Sequence, residues 1–485
     1  MRLARTILRR LLLAPSRVFV IDDQRTWRGY QLYLGALHVA RAIERVSQAD
    51  HVGVMLPTSG LFPMSMLGTW MLGRTVVPLN YLLGPQELAY VIEDSGVDTV
   101  VTVGPMMDHV GELPAGVKDI RLEQLGFGGL PPLRRCRSRP DDFVAALLYT
   151  SGTSGRPKGV MLTTGNLAAN VRQCMQWVGF TAVDSLLGVL PQFHSFGLTV
   201  LTLLPLSAGC KVVYSARFNP RKVLKLLRTH RPTAMIAIPS MYNVLMQSRS
   251  AQSDDFSSLR FLVSGGEPLP RTVAEGFREK FNVVINEGYG LTETGPVANW
   301  CRPQDHRAGS VGMAVTDVQE KIIDSTGRSV PTGEDGEVCI RGPNIMAGYY
   351  KLPDQTAEVL DDEGYFHTGD MGRFDADGHL YITGRIKEML IIGGENVFPR
   401  EIEEVLNAHP SVLDSAVIGV QDPSRGELPL AFVELVDGGT FDETSLRTHC
   451  REHLATFKVP REIRVIDQLP RNPTGKIMRR ALSPA

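Results

Sequence analysis

Apolar and polar positions alternate between two periods over the first two-thirds of the chain. In "YQLYLGALHVARAIERV" (30–46) the apolar residues recur every three to four positions, which predicts a helix with one buried face. "HVGVML" (51–56) follows as a short apolar run, the pattern of a strand buried on both sides. The pair repeats as "LFPMSMLGTWMLG" and "TVVPLN", then as "GPQELAYVIEDSG" and "DTVVTVG". It returns in "RKVLKLLRTHRPTAMIAIP" and from "SSLRFLVSGG" through "FNVVINEGYG". Helices alternating with such strands predict βαβ units and sheets covered on both faces.

After Asp317 the texture changes. "QEKIIDSTGRSVPTGEDGEVCIRG" and "RFDADGHLYITGR" place short strands around turn-forming pairs, which predicts antiparallel hairpins. From Lys387 a compact α+β unit is expected: helix "PREIEEVLNAHPSV", strands "VLDSAVIGV" and "LAFVELV", helix "DETSLRTHCREHLATF". The fold class is therefore α/β. A large N-terminal domain of βαβ-layered sheets spans 1–386, with a β-rich subdomain at about 317–386, and a small α+β domain spans 387–485.

Composition narrows the field. The 485 residues are 43% hydrophobic, enough for several cores, and 51 Lys+Arg stand against 52 Asp+Glu. A net charge of -1 favours no nucleic-acid partner. Six cysteines at 136, 174, 210, 301, 339 and 450 form no CxxC, so neither a zinc knuckle nor a disulfide framework is indicated, and a cytoplasmic setting fits. No apolar run is long enough to span a bilayer. The start, "MRLARTILRRLLLAPSRVFV", holds five arginines among leucines and could contact a membrane peripherally; an ordinary first helix packed on the domain is the expected reading.

The candidate chemistry begins at "YTSGTSGRPKGV" (149–160). It fails the GxxxxGK[ST] spacing of the common NTPase loop, because Gly159 follows Lys158. Its parts still suit phosphate. Thr150, Ser151, Thr153 and Ser154 carry hydroxyls, Gly152 and Gly155 let backbone N–H groups approach an anion, and Lys158 adds a charge. Two other motifs read as decoys. "DADG" lacks the later ligands of a calcium loop, and "HCREH" (449–453) matches H-x-x-E-H without a third ligand segment.

Further motifs follow in order: "PQFHSFGLTVLTLLPLSAG" (191–209), "SGGEPLP" (264–270), "NEGYGLTETGP" (286–296), "IRGPNIMAGYY" (340–350), "GYFHTGDMG" (364–372), "ITGRIKEMLIIGGENVFPREIE" (382–403) and "LPRNPTGKIMRR" (469–480). Together with the opening loop they resemble the adenylate-forming (AMP-binding) superfamily, of the acyl-CoA synthetase or fatty acid–CoA ligase type. The resemblance runs from roughly residue 20 to the end of the chain.

It implies a two-step ligase. A carboxylate attacks the α-phosphate of ATP, and a thiol then displaces AMP from the acyl-adenylate. Thr150 to Lys158 would hold the outer phosphates, Thr292 the α-phosphate, and Glu293 a Mg²⁺ ion. Tyr289 would stack on adenine with Gly266, Glu267, Glu287 and Gly288 along the same wall. Asp370 would take the ribose hydroxyls, backed by Arg385. Lys476 would bridge the attacking carboxylate and the α-phosphate. Lys387 would be the hinge about which the small domain moves, bringing Gly393 and Gly394 to the pantetheine arm of CoA.

His194 would sit beside the acyl carboxylate. Family members that activate amino acids place an Asp where this chain has His194–Ser195, and acetate-specific members carry a Trp near the position of Gly288. Gly288 with Phe196, Leu198, Ile238, Met241 and Ser264 therefore implies an open, apolar pocket. A medium- or long-chain fatty acid is the first expectation and an aryl acid the second, placing the enzyme in fatty acid metabolism. The acceptor is CoA or the phosphopantetheine of a carrier protein. Peripheral membrane contact and a homodimer stay open.

Overall fold

A computed structural model describes residues 2–151, 156–422, 426–471 and 476–483, without the side chain of Ser151. Among these, two sheets dominate the N-terminal domain. Nine strands run in the order Met313–Ala314, Asn299–Trp300, Asn286–Tyr289, Phe261–Ser264, Ala234–Ala237, Ser185–Gly188, Lys211–Tyr214, Val18–Ile21, Thr26–Arg28. The central six pair in parallel. Their centre is buried: every residue of Ala234–Ala237 and Phe261–Ser264 is enclosed, as expected when helices cover both faces.

A second sheet of seven strands centres on Thr75–Pro78, His51–Val54 and Thr99–Thr102, also parallel. Helix Leu61–Met71 lies between the layers. Ten of its eleven residues are buried, which explains an apolar sequence without a polar face. At one side of this sheet, Val144–Ser151 and Pro157–Thr163 form an antiparallel hairpin in which Thr150 opposes Lys158. The pairing holds both near the described ends of the two strands. Gly152, Thr153, Ser154 and Gly155 lie outside the described residues.

The hairpins expected after Asp317 form an antiparallel sheet of Gln319–Ile323, Gly336–Arg341, Phe366–Phe374 and Leu380–Arg385. The chain then passes through a single turn at Ile386–Glu388 into the C-terminal domain. There Val412–Asp422 and Gly426–Leu435 pair beside helices Pro399–Asn407 and Glu443–His453, with their own apolar core.

Helix Arg2–Leu13 buries Leu3, Ala4, Ile7, Leu8 and Leu11, and it packs on helices Gly29–Val46, Thr164–Val178 and Leu204–Ala208. That face is spent inside the protein, while Leu12 and Leu13 at the helix's end stay 52% and 73% exposed. No helix among the described residues is long and apolar enough to cross a membrane. All six cysteines are free thiols.

Candidate active site

A cavity of about 1130 Å³ opens where the two large sheets, the antiparallel sheet and the C-terminal segment meet. Thr150, Lys158, His194, Phe196, Gly266, Glu267, Gly288, Tyr289, Thr292, Glu293, Arg385, Lys387 and Lys476 all line it. The cavity therefore gathers side chains from across the whole chain.

The part of the lining expected to meet the outer phosphates is built around one ring. Lys158 Nζ stands 5.0 Å from the centre of the Tyr349 ring, and the Tyr349 hydroxyl donates to Glu293 Oε1 at 2.9 Å. Cation and carboxylate are thereby held on a common support. Burial raises the Glu293 carboxyl above its ordinary value. Among the described residues its hydrogen-bond partners are the Tyr349 hydroxyl and its own backbone N–H. A half-buried carboxylate that lines the cavity with so few partners fits a hard divalent ion such as Mg²⁺. Tyr349 lies inside a motif noted in the sequence, but nothing in its spacing marked it as a site residue.

The Asp370 carboxylate, expected to take the ribose hydroxyls, is buried just behind the lining. It accepts from the Tyr289 hydroxyl at 2.7 Å, and Arg385 Nε reaches its other oxygen at 2.7 Å. Asp370 and Arg385 are cross-strand partners in the antiparallel sheet, so the register itself sets the pair. Asp370 is shielded behind the two cavity-lining groups it binds. Burial pushes its carboxyl up, and Arg385 and Tyr289 pull it back. Glu287 is a correction to the adenine wall: it stands behind the lining, with Oε2 accepting from the Leu269 N–H, because its strand is covered on that side. Burial raises its carboxyl to about 7.

His194 caps the short helix Ser195–Leu198, its Nδ1 accepting from the Phe196 N–H at 3.3 Å. The residue is exposed to the cavity but has protein packed around its ring. That enclosure, with the nearby Lys476 ammonium, depresses it to about 4. At neutral pH the ring is uncharged with Nδ1 as acceptor, so the proton sits on Nε2. Next to it Ser195 Oγ lies 3.1 Å from Thr292 Oγ1, which ties this lip to the Thr-Glu turn. Sequence reading missed Ser195 as well; only the folded contact reveals it.

Around Gly265 and Gly288 the wall is apolar. A Cβ on Gly265 would stand 3.0 Å from Phe196, and one on Gly288 3.7 Å from Val263, while Trp300 lies opposite Gly288 in register. Ser264 and Leu198 do not line the pocket. Val263 faces the cavity, so its strand neighbour Ser264 points to the opposite face, and Leu198 sits in the core on the inner side of its helix.

Lys476 enters the cavity beside His194, Glu267, Asp370 and Arg385; burial and then Arg385 lower its ammonium. Three residues on, Arg479 forks onto Glu403 at 3.0 and 2.7 Å and reaches Glu388 at 3.1 Å. Gly393 and Gly394 occupy a turn with φ of +62° and +90°, outside the cavity and with open space around them. They are therefore not gathered with the other site residues. His449, Glu452 and His453 do converge on one face of their helix, as i, i+3, i+4 spacing requires. His449 Nε2 is already bonded to the Val405 carbonyl, however, and the cluster lies in the C-terminal domain away from the cavity.

Comparison with known proteins agrees with this geometry. The profile of the AMP-binding enzyme family matches residues 9–350, and that of the AMP-binding enzyme C-terminal domain matches 401–476. A sulfoacetate–CoA ligase of Cupriavidus necator is 34% identical, covering 92% of this chain and 89% of its own. A feruloyl-CoA synthase of Amycolatopsis is 35% identical over 90% and 88%. A long-chain-fatty-acid–CoA ligase of Bacillus subtilis is 32% identical over 90% and 86%. The ATP-bound crystal structure of MatB from Rhodopseudomonas palustris superposes with a TM-score of 0.91 at 31% identity, covering 98% of this chain and 97% of that one. The chain thus belongs to the AMP-binding family of adenylate-forming enzymes, as an AMP-forming ligase of the acid–CoA type.

Proposed function

We propose that the enzyme activates an apolar monocarboxylic acid, a medium- or long-chain fatty acid first, as its adenylate and passes the acyl group to CoA. The observation that carries this reading is the wall around Gly265 and Gly288. Phe196, Ile238, Val263 and Trp300 line it without a charge to meet a sulfonate or a second carboxylate, although Arg217 and His109 line the same cavity elsewhere. An aryl acid is the second reading, favoured by the aromatic pair Phe196 and Trp300 and by the feruloyl-CoA relative.

In the first half-reaction the acid's carboxylate oxygen bonds to the α-phosphorus as the bond to pyrophosphate breaks. Charge gathers on the phosphoryl oxygens and must be met by groups already in place. Lys476 is positioned to meet it from the acyl side, Thr292 and Lys158 from the phosphate side. The neutral His194 offers its Nε2–H to the attacking carboxylate without competing for its proton. Glu293 would hold Mg²⁺, which supplies neutralisation of the outer phosphates when bound. In the second half-reaction the CoA sulfur bonds to the acyl carbon and AMP leaves with its electron pair. We assign Gly393 and Gly394 to that step, after rotation about Lys387 has carried Lys476 out of the cavity.

Pyrophosphate release measured over a panel of fatty, aryl, dicarboxylic and sulfonated acids, with and without CoA, tests the reading. Turnover on apolar monoacids is expected. Release with none of the acids, or only with doubly charged acids, would overturn it. Release that CoA fails to carry to a thioester would point to a carrier protein as acceptor. Lys476→Ala is expected to cut adenylation by about 10²–10³ while sparing thioester formation from supplied acyl-AMP. Equal loss in both steps would contradict the role given to Lys476.

A further inference from the structure

Residues 126–137 cross the outside of the N-terminal domain between strands Lys118–Arg121 and Val144–Ser151 without helix or strand of their own. The segment is tied down at separated points. The Phe127 ring meets His38 edge-on at 5.5 Å, Arg134 forks onto Glu44 at 3.2 and 2.6 Å, and the Arg137 N–H donates to the Met71 carbonyl at 3.0 Å. Between the ties Leu130 and Leu133 point outward, 84% and 79% exposed, and Phe127 keeps 43% of its surface exposed despite its contact with His38. A single exposed leucine needs no explanation. Three large apolar groups within seven residues, on a segment stiffened by Pro131 and Pro132, mark a contact surface.

Positive charge surrounds them. Arg135 and Arg137 are exposed on the segment itself. The N-terminal helix lies alongside, since Arg2 stands 3.8 Å from Asp141 and the charge of Arg5 reaches the Cys136 thiol. Of the nearby carboxylates, Glu44 is held by Arg134 and Asp141 stands 3.8 Å from Arg2, while Asp142 is exposed beside it. Among the described residues no carboxylate lies within ion-pair distance of Arg5, Arg135 or Arg137. A nucleic-acid backbone would use the arginines but leave the leucines in water. A bilayer surface with anionic headgroups uses both.

We propose that this segment docks the enzyme on an anionic lipid surface, with Phe127, Leu130 and Leu133 entering the headgroup layer and Arg5, Arg135 and Arg137 pairing with lipid phosphates. The membrane contact thus comes from this segment and the polar edge of the first helix, not from that helix's buried apolar face. The docking is independent of which acid the enzyme activates.

Co-sedimentation of the full chain with phosphatidylcholine vesicles, with and without phosphatidylglycerol, tests it at low and high salt. The wild type is expected to bind the phosphatidylglycerol vesicles at low salt and to release from them at high salt. The pairs Leu130→Asp with Leu133→Asp, and Arg135→Glu with Arg137→Glu, are each expected to weaken binding by about tenfold or more. Their melting temperatures and their pyrophosphate release in vesicle-free solution should match the wild type. Equal binding to neutral vesicles, no binding, or full binding by either double variant would overturn the proposal. So would a wild-type dimer, seen by light scattering, that the leucine pair abolishes, because the patch would then be an interface between copies of this chain.

Discussion

Tyr349 carries two groups of the phosphate site at once, Lys158 over its ring and Glu293 on its hydroxyl. Tyr349→Phe keeps the ring and removes only the hydroxyl, so it separates the two supports. The expected result is a higher Mg²⁺ requirement for pyrophosphate release and roughly a tenfold loss in kcat/KM for ATP, about what one hydrogen bond to a charged group supplies. An unchanged Mg²⁺ titration would show that Glu293 needs no such positioning. Glu287 allows a prediction about stability. Its carboxyl has an ordinary value of 4.5 and is raised to about 7 in the fold. Below pH 4.5 it is protonated whether folded or not and costs nothing. Between 4.5 and 7 the unfolded chain ionises first, so stability falls as pH rises; above 7 the cost is constant, about 3 kcal/mol. Glu287→Gln should therefore raise the melting temperature at pH 8 and have little effect near pH 5. A gain of equal size at both would assign the effect to packing.

At the scale of elements, the site depends on how strands and caps aim their ends. The Asp370–Arg385 pair is a cross-strand pair, and Thr150 with Lys158 is another. The helix Ser195–Leu198 fixes His194 through its cap, and it fits only because position 197 is glycine. A Cβ there would stand 1.9 Å from the Pro191 carbonyl oxygen. Gly197→Ala should cost about 1–3 kcal/mol of stability and, by shifting the lip that holds His194, lower adenylation more than AMP binding. Thermal unfolding and AMP titration together check this. A stable variant with wild-type turnover would show that the lip tolerates displacement.

At the scale of the whole molecule, Lys476 belongs to the C-terminal domain but lines a cavity made largely by the N-terminal one. Arg479 joins the lysine segment to Glu403 on helix Pro399–Asn407 and to Glu388 in the turn Ile386–Glu388. Arg479→Ala leaves the buried Glu403 without its cation. It should destabilise the C-terminal domain by about 3–5 kcal/mol and slow adenylation, with little effect on ATP binding in the N-terminal domain. Calorimetry and nucleotide titration separate those outcomes.

The periodicities of 30–104 and 221–290 were enough to show an α/β chain with covered parallel sheets, because both element types recur with apolar patterns that admit few alternatives. The ordered motifs were enough to name the adenylate-forming chemistry, because short loops carry it in contiguous residues. Ser195 against Thr292, Tyr349 under Lys158, and Glu403 under Arg479 were not legible. Each pair is separated by dozens of residues or more, and no local pattern encodes which strand end meets which. The pocket wall was read only in part: Ser264 and Leu198 have the right chemistry, but strand alternation and helix facing turned them away. The first helix shows the same division. Its composition allowed either a membrane or a core for its leucines, and only the packing of helices Gly29–Val46 and Thr164–Val178 against it put Leu3, Leu8 and Leu11 in the core while leaving Leu12 and Leu13 exposed.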